Sequence, residues 1–182
     1  MEKRIFIAIN LPEEIISGLK ANEKRWKGLH IKWTNAANMH ITLQFLGNVN
    51  RKDFDAIMLA VGKAVPQIGQ FHITLDRIVL GPNSGEPTMF WATLLIDSNL
   101  LKLKRTLDES LKSYGYMPED RKFKPHITLA RARGNQLKGR KTNIQLKGMR
   151  FKVESIEIMQ SQLHPGGSKY KIARSFKLAN NP

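Results

Sequence analysis

Asn38-Met39-His40-Ile41-Thr42-Leu43-Gln44-Phe45-Leu46-Gly47 is answered later in the chain by Pro125-His126-Ile127-Thr128-Leu129-Ala130-Arg131. The shared tetrapeptide His-Ile-Thr-Leu alternates polar and aliphatic side chains, the pattern of a half-buried strand. Residues two apart on a strand point the same way. His40 and Thr42 therefore share one face, with Gln44 following, while Ile41, Leu43 and Phe45 face the other way. His126 and Thr128 share a face in the second copy, opposite Ile127 and Leu129. Each strand can bury its aliphatic side and present an imidazole and a hydroxyl on the other. By the same alternation Phe45 reads as core, and Arg131 points away from His126 unless a bulge intervenes.

The two copies lie 86 residues apart. Applied upstream, that offset carries a strand at 4–11, with its apolar run Ile5-Phe6-Ile7-Ala8-Ile9, onto 90–97. It carries a helix at 12–29 onto 98–115. Strand, helix, connector and His-Ile-Thr-Leu recur in one order. The pattern predicts two modules, approximately 1–85 and 86–182, within a single bilobal domain and related by a pseudo-twofold axis. A third His-Ile-Thr-Leu at 72–75 breaks the pattern, because the offset sends His72 to Ile158. His72, Thr74 and Asp76 read as the polar outer face of an ordinary amphipathic strand.

The remaining elements follow from periodicity and punctuation. Pro12 with Glu13 and Glu14 opens a helix that Gly28 ends. Strands are expected at 31–34, 40–46, 71–80, 89–96, 126–133, 150–163 and 169–178. Helices are expected at 53–65 and 100–114, the second with Leu100, Leu103, Leu107 and Leu111 on one face. Gly81-Pro82-Asn83-Ser84-Gly85 and His164-Pro165-Gly166-Gly167 read as turns. Strands alternating with helices make the class α+β.

The chain has 182 residues, 30 Lys and Arg against 15 Asp and Glu, and no cysteine. Without thiols there is no disulfide framework, iron–sulfur cluster, Cys-ligated zinc or cysteine nucleophile. The net charge of +15 is uneven: residues 1–99 carry +2 and residues 100–182 carry +13. A basic half of this kind collects a polyanion, nucleic acid above all. No run approaches the ~20 apolar residues of a membrane span, and Ile5 to Ile9 is too short for a signal-peptide core. A cytoplasmic monomer with no membrane partner is expected.

Paired imidazoles in a basic cleft suit phosphoryl transfer. With an ordinary pKa of about 6.5, one ring can be protonated and its partner neutral near pH 7. One ring would take a proton from water while the other protonates the leaving oxygen. The threonine hydroxyls could donate to phosphate oxygens as charge develops. An activated ester such as a strained cyclic phosphate requires no metal. No His-Glu-x-x-His motif is present, and neither histidine has a second ligand at metal-binding spacing. No metal or other cofactor is therefore expected. Gly166-Gly167-Ser168-Lys169 lacks the spacing of a phosphate loop, and no Gly-x-Ser-x-Gly elbow occurs.

These residues resemble the signatures of the two-histidine phosphoesterases. The likeness is closest to the RNA 2′,3′-cyclic phosphodiesterase branch, also called 2′-5′ RNA ligase. It extends over nearly the whole chain: Arg4 to Ile9, Trp33, and the tail Ser161-Gln162-Leu163 with Gly167 and Tyr170 sit where that family has similar residues. The resemblance implies a bilobal fold of antiparallel sheet plus helices around a central groove, one histidine motif from each lobe facing it. It implies hydrolysis of RNA 2′,3′-cyclic phosphate ends, tRNA fragments among them, to 2′-phosphomonoesters, with reverse 2′-5′ ligation as a further activity. Carried over by position, His40 is the proton donor and His126 the proton acceptor. Thr42 and Thr128 hold the phosphate, and Arg131 adds positive charge there. Gln44 stands where relatives often carry a basic side chain. His164 falls in a turn near the tail motif. The rival readings are a non-catalytic RNA-binding module of the same fold, and a relative acting on 2′-5′ oligonucleotides or small cyclic nucleotides.

Overall fold

The computed structural model describes residues 2–82, 85–117, 122–165 and 167–180. Asn83, Ser84 and Gly166, parts of the two expected turns, lie outside the described residues.

Ten strands form one sheet. They are β1 (Lys3–Asn10), β2 (Lys32–Trp33), β3 (His40–Val49), β4 (Phe71–Gly81), β5 (Met89–Leu94), β6 (His126–Arg131), β7 (Asn143–Gln145), β8 (Arg150–Val153), β9 (Ser155–His164) and β10 (Gly167–Lys177). The helices are α1 (Glu13–Lys20), α2 (Arg51–Ala64) and α3 (Ser98–Lys112). The strand order is β10-β9-β1-β3-β6-β5-β4-β7, with β2 added on β6 and β8 on β4. Each named pairing is antiparallel, as expected of an α+β fold.

One register pair, Ile41 with Ile127, joins the two halves of the sheet. These are the residues that the 86-residue offset equates. Their side chains enter the core, so the His and Thr on either side of each turn to the open face. β4 pairs with β5 and so lies in the half that carries β6. β9 pairs with β1 and lies in the half that carries β3. Each half thus takes a strand from the other end of the chain. The offset also drifts. Asn10 pairs with His40 and Thr93 with His126, which sets those two positions 83 residues apart.

The opposite face of the sheet carries the main core. α2 buries Ile57, Ala60, Val61 and Ala64, and α3 buries Leu100, Leu103, Leu107 and Leu111. Both stripes pack with Ile5, Ile7, Ile9, Ile41, Leu43, Ile127 and Leu129 in one cluster. Truncating a leucine of the α3 stripe to Ala would cost ~2–5 kcal/mol. The helix starts are fixed locally. The Asn50 side chain accepts from Asp53 N at 2.9 Å, and Asp97 accepts from Asn99 N at 2.8 Å, which satisfies amides with no intrahelical partner.

Two expectations about elements change, and one strand is added. The helix from Pro12 stops at Lys20 rather than Gly28, because the Asn22 amide donates to Gly18 O at 2.9 Å and closes it. Trp26 and Leu29 still pack on the core from the segment that follows. The single strand at 150–163 is two strands. β8 pairs with β4 and β9 with β1, so the chain crosses between halves at Glu154. β7, three largely exposed residues, carries no periodic signal long enough to read.

Candidate active site

Both histidine strands are bulged at the same place. On β3 the register steps from Ala8–Thr42 to Ile7–Gln44, passing over Leu43. On β6 it steps from Trp91–Thr128 to Phe90–Ala130, passing over Leu129. The extra residue reverses the alternation beyond it. Gln44 and Ala130 turn inward and are buried, whereas Phe45 and Arg131 emerge on the open face with the histidines and threonines. The bulge that Arg131 required is present. Two expectations are corrected: Phe45 is 54% exposed rather than core, and Gln44, placed after Thr42 on its face, is 4% exposed. The Gln44 side-chain carbonyl accepts from Lys104 Nζ of α3 at 2.7 Å.

The two imidazoles are held alike. His40 Nδ1–H donates to Asn38 O at 2.8 Å, and His126 Nδ1–H donates to Lys124 O at 2.8 Å. Each ring is anchored by the carbonyl two residues upstream. That bond fixes the tautomer and leaves Nε2 as the atom that can take or give a proton. At His40 the Thr42 hydroxyl meets Nε2 at 3.0 Å. Thr128 pairs with Trp91 across β5 and β6. Arg131 Nη1 donates to Met89 Sδ at 2.9 Å, the rest of its fork staying exposed.

Aromatic side chains border both rings. Phe6 lies 4.9 Å from the His40 ring and Tyr170 lies 5.3 Å from it, edge-on, while Phe6 and Phe45 are 6.0 Å apart. Phe6 and Ala8 form a small cluster with Met159 and Tyr170, separate from the main core. Asn38 Nδ2 donates to Ser168 O at 2.7 Å, which ties the β9–β10 hairpin to the strand that carries His40. On the other half, Trp91 stacks on His126 at 4.0 Å.

The family model for LigT-like phosphoesterases matches residues 9–91 and 96–170, both histidine motifs included. The chain belongs to this family. The RNA 2′,3′-cyclic phosphodiesterase of Thermotoga maritima is 31% identical over 173 residues, 93% of this chain and 92% of that protein. The protein of the same name from Methanocaldococcus jannaschii is 28% identical over 178 residues, 95% of this chain and 99% of the other. Among solved structures, TT0787 of Thermus thermophilus superposes with a TM-score of 0.85 at 26% identity, covering 98% of this chain and all of that one. The LigT of E. coli in complex with 3′-AMP has the same fold, with a TM-score of 0.84 at 24% identity over 98% of this chain and 99% of that one.

In this LigT-like phosphoesterase the two imidazoles are shifted in the same direction rather than apart. Burial lowers the pKa of both below the ordinary value. The Asn38 and Lys124 carbonyls oppose the shift, while His126 adds to it at His40 and Arg131 adds to it at His126. Without a ligand both rings therefore favour the neutral form more than a free imidazole does. An anion placed between the rings would favour their charged forms. The falling limb of kcat/KM is expected below that of kcat, since the first reports the free enzyme and the second the complex. Coincident limbs in the two profiles would refute this.

His72 is exposed on β4 and pairs with Lys152 of β8, and His164 is exposed at the end of β9. Neither is brought to the histidine pair by these pairings. Among the described residues no three His, Cys, Asp or Glu side chains converge as a metal site, and no helix is long and apolar enough to cross a membrane. Sequence reading passed over Trp91, Phe6 and Tyr170 as site residues. The parity of β5 was a usable signal for the first: Phe90, Ala92 and Leu94 are buried, so Trp91 and Thr93 face the histidines.

Proposed function

We propose that the chain hydrolyses 2′,3′-cyclic phosphate ends of RNA to 2′-phosphomonoesters, with paired histidines as acid and base and without a metal. The observation that carries this reading is the meeting of two His-x-Thr strands at Ile41 and Ile127, each histidine anchored through Nδ1 with Nε2 left reactive. His126 takes a proton from water as its oxygen bonds to phosphorus. The bond from phosphorus to the 3′ oxygen breaks, and His40 gives that oxygen its proton. The 2′ ester is retained, and solvent restores both rings. Thr42, Thr128 and Arg131 hold the phosphate oxygens as negative charge builds on them. Phe45 supplies an exposed ring against which the terminal base can stack. With the 5′-hydroxyl of a second strand in place of water, the same two proton transfers break the bond from phosphorus to the 3′ oxygen and leave a 2′-5′ phosphodiester, the ligation expected for halves of a cleaved tRNA.

The names of the relatives, the basic second half and the exposed Arg131 support an RNA end as substrate. The test is incubation with an oligoribonucleotide ending in a 2′,3′-cyclic phosphate, with and without EDTA, and identification of the terminal phosphate. A 2′-phosphate formed equally in both supports the proposal. A 3′-phosphate, loss of activity in EDTA, or salt-sensitive binding with no ring opening would overturn it.

A further inference from the structure

The two histidines differ in what covers them. His126 lies against Trp91 with ring centroids 4.0 Å apart and planes 24° from parallel, a stacked pair. His40 has no such cover: Phe6 is tilted by 38° and Tyr170 meets it edge-on at 84°. The indole also lies close against Gly81 of β4. A Cβ at that position would sit 2.4 Å from two atoms of the Trp91 ring, so only a glycine lets the indole lie flat there. Among the described residues no acceptor meets the buried Trp91 Nε1–H. Its close contacts with Gly81 and His126, rather than a hydrogen bond at Nε1, hold the ring.

We propose that Trp91 is a positioning residue for His126, whose indole face keeps the imidazole in plane and stabilises the imidazolium formed when that ring takes its proton. Trp offers the strongest ring face for a cation. This rests on the reading above, in which His126 is the acceptor. The base that must gain charge is then the one with an aromatic face against it, and the donor that must lose charge is not. The other groups facing His126 are Arg131 on its own strand, His40 across the seam, and the Lys124 carbonyl at Nδ1. Thr93, its register partner on β5, turns its hydroxyl to Arg77 O at 3.1 Å.

The test compares Trp91→Phe with Trp91→Leu, two apolar side chains of similar bulk of which only one has a ring face. The His126 ring is titrated by NMR in the protein without substrate. Its midpoint is expected roughly half a pH unit or more higher in the Phe variant than in the Leu variant, with the His40 midpoint unchanged between them. Equal midpoints, or a higher one with Leu, would overturn the proposal. In the cyclic phosphate assay Trp91→Leu is expected to lower kcat roughly three- to tenfold with KM little changed. Gly81→Ala alone should lower kcat as well, yet lower it no further when added to Trp91→Leu. Additive losses would show that Gly81 and Trp91 do not act as one unit. If His126 proves dispensable for cleavage, the catalytic reading fails while the titration still decides whether the ring is stacked.

Discussion

His126→Gln is expected to lower kcat by about 10²–10⁴-fold, and His40→Gln by a similar factor, with KM little altered. A positioned general acid or base contributes a factor of this size, and glutamine can neither give nor take the proton at Nε2. The phosphate contacts assigned to Thr42, Thr128 and Arg131 survive both changes, so substrate should still bind. Neither ring belongs to the main core cluster, and each anchoring bond is to a backbone carbonyl. Both variants should therefore fold. Acting in one step, the two rings should not be additive: the double variant is expected to be little worse than either single one. The pH profile separates the roles. Without the donor His40, the residual rate loses its fall on the alkaline side. Without the acceptor His126, it loses its rise from the acid side. Profiles with those limbs exchanged would exchange the roles, and full activity in either variant would remove the paired-histidine mechanism. His72→Gln is the control and should retain full activity.

The sequence made the site's ends legible and hid its middle. Alternation placed Ile41 and Ile127 inward, and with them the outward turn of His40, Thr42, His126 and Thr128. The repeat placed the two motifs as counterparts, which the Ile41–Ile127 register pair now joins. Alternation failed two residues beyond the threonines, at Gln44 and Ala130, because a bulge adds a residue without marking it. Nothing in Leu-Gln-Phe or Leu-Ala-Arg announces that step. It became legible only as a register against β1 and β5. Long-range pairing is likewise silent in the chain. β9 reads as the natural end of a second module, yet it lies beside β1 because the crossing at Glu154 carries it there.

Lys104→Met is expected to lower stability by about 2 kcal/mol, a fall in Tm of about 4–8 °C for a chain of this size. The Lys104 side chain is 12% exposed and pairs with Asp108 one turn along α3. It also donates to the Gln44 side-chain carbonyl at 2.7 Å and lies 5.7 Å from the Phe123 ring centre. Removing the ammonium leaves a buried amide oxygen without its donor, which costs ~1–3 kcal/mol. The carboxylate loses less, because Asp108 is 22% exposed and can turn toward water. Function should suffer through both strands. Gln44 is the inward residue of the bulge that turns Phe45 outward, and Phe123 precedes Lys124, whose carbonyl anchors His126. KM for the cyclic phosphate should therefore rise along with the loss of stability. The second strand shows what can replace the polar tie. At the matching bulge position it has Ala130, fully buried with no polar group to satisfy. Adding Gln44→Leu to Lys104→Met should then recover part of the lost stability, since an apolar pair can substitute for a buried polar one. A single variant that melts like the parent would show that Lys104 does not hold the bulge. So would a double variant that loses more than the two single changes together.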